Sequence, residues 1–345
     1  MYIAKKIYYL SKLGNELKKM SEKEEINYYF TEYENIYNHN PWFIRNFVEY
    51  ALKQWAENLN EQQIYNWLKN YNIPSEIDKS TVVAIICAGN IPLVGLHDII
   101  CCYLSGVKTI VKLSSKDNIL MKYVIEKLYE LDSNAKNEIK YTEDQLSNIN
   151  AIIATGTNNT NQYFEEYFGK YPHIFRKNKN SLAVITEKNS IEDLKNLADD
   201  IFLYFGLGCR SVSKIFIPKN FDFNKLETAF CKYKYLIDHH KYYNNLTYQY
   251  ALMSMNQTIH INCENILLIE NQAFHSAIGV LNYEYYSSIE NVNKILSENT
   301  KNIQCIVSND KTVNNALDFG HAQQPNLSDY ADNIDTIKFL LNIRK

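Results

Sequence analysis

Thr81-Val82-Val83-Ala84-Ile85-Ile86-Cys87, running into Ala88-Gly89-Asn90-Ile91-Pro92, is the stretch on which the fold turns. It is uncharged, rich in β-branched residues and too short for a buried helix, so it reads as a strand covered on both faces. After the Gly-containing turn come a helix-like Leu93–Ser105 and a second strand, Thr109-Ile110-Val111-Lys112-Leu113. A further helical stretch, Ile119–Leu131, leads to a third strand at Ala151-Ile152-Ile153-Ala154. Strand and helix alternating at this interval predict an α/β fold with parallel crossovers, and such sheets bind ligands at the carboxyl ends of their strands.

Upstream, residues 1 to about 75 carry apolar side chains at helical spacing, as in Phe43, Phe47, Ala51 and Trp55, and close at Asn72-Ile73-Pro74. Downstream, Arg176-Lys177-Asn178-Lys179-Asn180 precedes a strand at Ser181–Ile185, and a helix from Ile191 to Tyr204 delivers the chain to Phe205-Gly206-Leu207-Gly208-Cys209-Arg210. Two glycines ahead of one cysteine suit a sharp turn that holds up a thiol, and the apolar Ile215-Phe216-Ile217, stopped by Pro218, supplies a rigid strand behind it. A Gly-Cys pair alone reads more simply as a buried structural thiol on a loop. No internal repeat or long linker is present, and the expected domain boundary lies near 200 to 210.

With 345 residues, 46% hydrophobic and 22% charged, the chain is that of an ordinary globular protein of two domains. A net charge of −3 argues against a nucleic-acid partner. Asn90, Pro92, His97 and Asp98 interrupt the most apolar region, so no membrane span is expected. Seven cysteines without CxxC or Cys/His spacing predict no metal site and reduced thiols, and the Lys-containing start of the chain has no export signal, so the expected location is cytoplasmic. Neither GxGxxG nor a Walker loop occurs. The turn Thr155-Gly156-Thr157-Asn158 offers close backbone approach and N–H donors to a phosphate, and is also an ordinary helix cap.

Taken in order, Gly89-Asn90-Ile91-Pro92, Thr109–Ser114, Thr155-Gly156-Thr157 and Gly208-Cys209-Arg210 resemble the signature set of the aldehyde dehydrogenase superfamily. Phe205–Lys214 and the tail Gln323–Asp332 look like the acyl-CoA reductases related to the fatty acid reductase of bacterial bioluminescence (LuxC-like). The resemblance implies an aldehyde dehydrogenase-like fold. N-terminal helices and a Rossmann-like NADPH-binding domain would occupy 1–205, and a smaller α/β catalytic domain carrying the thiol and the C-terminal tail would occupy 206–345. It implies Cys209 as nucleophile and Asn90 as oxyanion donor. Lys112, Ser115, Gly156 and Thr157 become cofactor contacts, Ser115 standing where many relatives have a glutamate that would repel a 2′-phosphate; hence NADPH. Hydrolytic relatives carry a glutamate in an ELGGK-like motif, whereas Phe175–Ser181 here has no carboxylate. Loss of such a base slows water attack by roughly 100- to 10,000-fold, which favours thioester chemistry.

The implied reaction is reduction of a fatty acyl-CoA, or a related acyl-carrier thioester, to an aldehyde through an S-acyl-cysteine. The resemblance leaves room for a homo-oligomer or for a partner enzyme in a fatty acid reductase complex. Two readings remain open beside it: a cysteine-dependent acyltransferase or thioesterase, and a catalytically silent subunit. His239, His240 and His321 read as packing or capping residues, and Asp329 and Asp332 as supports of the C-terminal turn.

Overall fold

In the computed structural model, which describes residues 2–22, 29–156 and 158–344, the chain begins with α1 (Tyr2–Ser21), α2 (Phe30–His39), α3 (Arg45–Asn58) and α4 (Glu61–Leu68). Leu10, Leu13 and Leu17 form one buried stripe on α1, and Phe47, Val48, Ala51 and Leu52 a second on α3. Gly14 lets α1 close on the end of α3, since a methyl group there would sit 2.9 Å from Leu59 Cβ.

These helices pack with a parallel sheet. Its elements are β1 (Asp78–Ile86), α5 (Leu96–Ser105), β2 (Val107–Lys112), α6 (Ile119–Leu131), α7 (Ala135–Glu138), β3 (Ile139–Thr142), β4 (Ala151–Thr155), α8 (Asn158–Phe168) and β5 (His173–Arg176). The strand order is β3-β2-β1-β4-β5. The expected buried strand is thus the centre of the sheet, with Val83, Ala84 and Ile85 removed from water. In register, Ile86 faces Lys112 on one side and Ala154 on the other, so β1, β2 and β4 end at one level.

Almost every side chain of α5 is buried, because the C-terminal helix Thr336–Ile343 returns to cover it with Ile337 and Leu340. At the end of β5, Arg176 forks onto both Asp98 oxygens, and its Nη2 also donates to Thr336 Oγ1 at 3.0 Å. Lys6 is buried too, with its ammonium 2.5 Å from Glu138 Oε2 and from the Tyr103 carbonyl.

The second unit contains β6 (Asn180–Val184), α9 (Ile191–Phe202), β7 (Val212–Pro218), α10 (Asn224–Phe230), α11 (His240–Met255), β8 (Ile261–Asn262), β9 (Leu267–Glu270), β10 (Val280–Tyr286), α12 (Ile289–Glu298), β11 (Ile303–Val307) and β12 (Ala316–Leu317). Its strands run β12-β11-β6-β7-β10-β9-β8. The pairing is parallel except between β8 and β9. Leu182, Val184, Phe216, Val292 and Leu296 lie in its core.

The division of the chain departs from the expected 205/206 break. One compact unit is Met1–Lys177 with Asn326–Lys345, the other Asn178–Pro325. The cause is strand pairing: β6 lies between β7 and β11, so the segment 180–205 belongs with the sheet that follows it. The tail from Asn326 belongs with the first unit.

Breaking the buried Asp98–Arg176 pair from one side should be severe. Arg176→Met strands a carboxylate away from water and is expected to cost about 3–5 kcal/mol, read as a lower urea midpoint. The double variant with Asp98→Asn, which leaves no lone charge, should regain part of that loss.

Candidate active site

In the first unit, the residues singled out from the sequence stand where strands of the parallel sheet stop. Asn90 is exposed in the turn after β1. Two features shape that turn. Gly89 packs so closely on the β2 exit that a methyl group would lie 2.4 Å from Ser114 Oγ. Leu93 has a φ of 60°, and its N–H donates to Asp117 Oδ2 at 2.8 Å. Lys112 ends β2, with its Nζ donating to the Asp144 carbonyl at 3.2 Å. Beside it Leu113, Asn118, Ile119, Lys122, Thr142 and Asp144 line a cleft of about 370 Å³. Ser115 is exposed, and its carbonyl accepts from His39 Nε2 at 2.6 Å. Gly156 follows β4, its N–H bonded to the Arg176 carbonyl and its carbonyl accepting from Asn161 Nδ2. A methyl group at Gly156 would meet Thr160 and Phe164 at 3.0 Å, so the backbone there is closely hemmed. Thr157 lies outside the described residues.

The second unit presents the thiol. Helix α9 starts at a capping box formed by Ser190 and Asp193 and ends in a left-handed turn. Tyr204, Phe205 and Gly206 all have positive φ, at 57°, 55° and 72°. Only the glycine of the three was foreseeable. Phe205 is held in this conformation by ring contacts to His239 at 4.5 Å and Tyr242 at 5.6 Å. Cys209 follows in a turn closed by Ser211 N–H to the Gly208 carbonyl at 3.0 Å, immediately before β7. Its side chain is exposed, which excludes the reading as a buried structural thiol. His239 caps α11, its Nδ1 accepting from the Tyr242 N–H.

Residues that sequence reasoning passed over fix the cysteine turn. Ser211 Oγ accepts from Gly208 N–H at 3.3 Å and from Gln323 Nε2 at 3.1 Å. Arg210 Nε donates to the Ala322 carbonyl. The segment 320–322 is itself anchored by the fully buried Asp200, which accepts from the N–H groups of Gly320 at 2.7 Å and Ala322 at 2.8 Å. Ser181 Oγ donates to the carbonyl of Cys209 at 2.9 Å. The tail from Gln323 stood out in the sequence, but nothing there placed residues 320–323 against Cys209, more than a hundred residues away. In the stretch Phe175–Ser181, Arg176 is consumed by its pair with Asp98, and no carboxylate stands there.

Parallel sheets, an exposed cysteine at the head of a central strand, and a lysine and glycine at the strand ends define an α/β protein of the aldehyde dehydrogenase fold. Solved structures bear this out. Aldehyde dehydrogenase 21 from Physcomitrella patens, in complex with succinate, matches with a TM-score of 0.68 at 10% identity, covering 100% of this chain and 85% of that one. An indole-3-acetaldehyde dehydrogenase in complex with NAD+ gives 0.66 at 12%, covering 91% and 73%. Lactaldehyde dehydrogenase from Escherichia coli gives 0.61 at 11%, covering 88% and 75%. At such identities the likeness is one of fold. The family is set by sequence: the acyl-CoA reductase (LuxC) family matches residues 14–230, more than half of the chain, which therefore belongs to that family of oxidoreductases. No curated protein matches the sequence.

Two buried carboxyls brace these turns and titrate late. Burial pushes Asp117 up to about 7 against the bonds from Leu93 and Met121, and pushes Asp200 up to about 7 against those from Gly320 and Ala322. An acid whose folded value lies above its unfolded value binds more protons when folded, so stability falls as pH rises from about 4 towards 7. The slope is up to about 1.4 kcal/mol per pH unit for each proton. Asp200→Asn should therefore narrow the gap between urea midpoints measured at pH 5 and pH 8.

Proposed function

We propose that this chain is an NADPH-dependent reductase that converts a fatty acyl-CoA, or a related acyl thioester, to an aldehyde through an S-acyl intermediate on Cys209. The observation that carries the proposal is the exposed Cys209 thiol, raised on a braced turn ahead of β7 in a member of the acyl-CoA reductase family.

In this reading the Cys209 thiolate attacks the acyl carbonyl carbon and the C–S bond to CoA breaks, releasing CoA thiolate and leaving the acyl group on Cys209. The Asn90 side-chain amide and the Cys209 N–H hold the oxyanion of the tetrahedral stage. The stretch Phe175–Ser181 offers no carboxylate to activate water, so the acyl-enzyme persists rather than being hydrolysed. A bound nicotinamide supplies the hydride that takes the acyl group to the aldehyde, after which the Cys209 thiol is free again.

The strand ends of the first unit suit a dinucleotide. Lys112 supplies a cation at a ribose position. Gly156, whose N–H is already bonded to the Arg176 carbonyl, is a pyrophosphate contact by the resemblance. Thr157 is retained as a contact on the resemblance alone. Ser115, between Lys112 and Lys116, places no carboxylate against a 2′-phosphate, while Glu143 and Asp144 on the wall of the adjoining cleft act in the opposite sense. The ratio of KM for NADH to KM for NADPH measures which prevails; a ratio above about ten is expected, the equivalent of one charge-assisted hydrogen bond.

Incubation with an acyl-CoA panel should give a covalent adduct at Cys209 by intact mass, removed by NADPH with release of aldehyde. Cys209→Ala should give none, and Asn90→Ala should lower kcat roughly 100- to 1,000-fold. Acyl transfer at full rate without NADPH, and no aldehyde, would make the protein an acyltransferase instead.

A further inference from the structure

The least ordinary geometry in the second sheet surrounds Ser181. Strand β6 is irregular against both of its neighbours at this one residue. Towards β7, Ser181 pairs with Val212 but Leu182 pairs with Lys214, leaving Ser213 as an extra residue. Towards β11, Asn180 pairs with Ile303 and Leu182 with Ile306, so that Gln304 and Cys305 both oppose Ser181. Bulges re-aim side chains and collect beside functional sites. Two on either side of one serine concentrate that effect.

The Ser181 side chain is shut away from water, yet its bonding is fully spoken for. Its single proton goes to the Cys209 carbonyl at 2.9 Å. Its lone pairs accept from the Cys305 N–H at 3.3 Å and from the Cys305 thiol at 3.1 Å, the proton assignment that leaves each group satisfied. The extra residue on the other side, Ser213, donates its hydroxyl to the Phe274 carbonyl at 2.7 Å. A hydroxyl kept dry in this way offers the Cys209 peptide a partner that water does not displace.

We infer that Ser181 is a positioning residue for Cys209. By holding the Cys209 carbonyl it fixes the Cys209–Arg210 peptide plane, and with it the Cα from which the thiol projects; the double bulge aims the Ser181 hydroxyl there. The inference rests on the reading of Cys209 as nucleophile and adds to it a device that sets the thiol's direction.

The test compares Ser181→Ala with Ser308→Ala. Ser308 is an equally buried hydroxyl in the same unit, bonded to the Val184 carbonyl at 2.9 Å and with no bond to the cysteine turn. Ser181→Ala is expected to lower kcat about tenfold, the loss of roughly one hydrogen bond, with KM for acyl-CoA within twofold of the parent. Ser308→Ala should lower the melting temperature similarly and leave kcat alone. Iodoacetamide alkylation of Cys209, followed by intact mass, needs no acyl substrate; its rate should change at least threefold in Ser181→Ala and not in Ser308→Ala. An unchanged alkylation rate in Ser181→Ala, or a loss of kcat matched by Ser308→Ala, overturns the assignment. Full reductase activity in Cys209→Ala overturns instead the nucleophile reading on which it rests.

Discussion

A strand with no face towards water has to be enclosed, and that requirement organises the first unit. From Thr81 to Ile86, β1 carries uncharged residues along both faces, so helices must lie above and below it and its neighbours must run parallel, linked by crossovers. Parallel crossovers then bring the strand ends to one edge, and the register of Ile86 with Lys112 and Ala154 shows how evenly they arrive. Asn90, Lys112 and Gly156 share that edge because the burial of β1 leaves the intervening turns no other place to emerge.

In the second unit the constraint is one of backbone conformation. Two non-glycine residues in the left-handed region, Tyr204 and Phe205, oppose an intrinsic preference of roughly 1–2 kcal/mol each. Packing must offset this, and the rings of His239 and Tyr242 against Phe205 supply it. The turn is therefore determined by tertiary contacts rather than by local choice. That is the arrangement expected where a side chain is to be presented in one direction.

Much of this was legible in the sequence. Helix α6 occupies Ile119–Leu131 as its apolar spacing required, and β1, β2, β4 and β6 lie within a residue or a few of their apolar runs. The edge strands β3 and β5 were not legible: Ile139–Thr142 and His173–Arg176 are short and carry charged or polar residues, as strands at the margin of a sheet can. The domain boundary was misplaced because nothing local distinguishes a strand that pairs backwards from one that pairs forwards. At the site, the glycine-flanked Cys209 and the strand ends stood out. The serine behind Cys209 did not, since a bulge is a relation between strands and leaves no mark on the residue it surrounds.

The return of residues 326–343 to the first unit has a consequence for synthesis. Helix α5, buried on nearly every side, receives its cover only after the whole of the second unit has left the ribosome. Until then an apolar helix waits uncovered, a state that invites association with other chains or with a chaperone. The continuous second unit can complete its sheet first, so of the two units the one begun first is the one that finishes folding last.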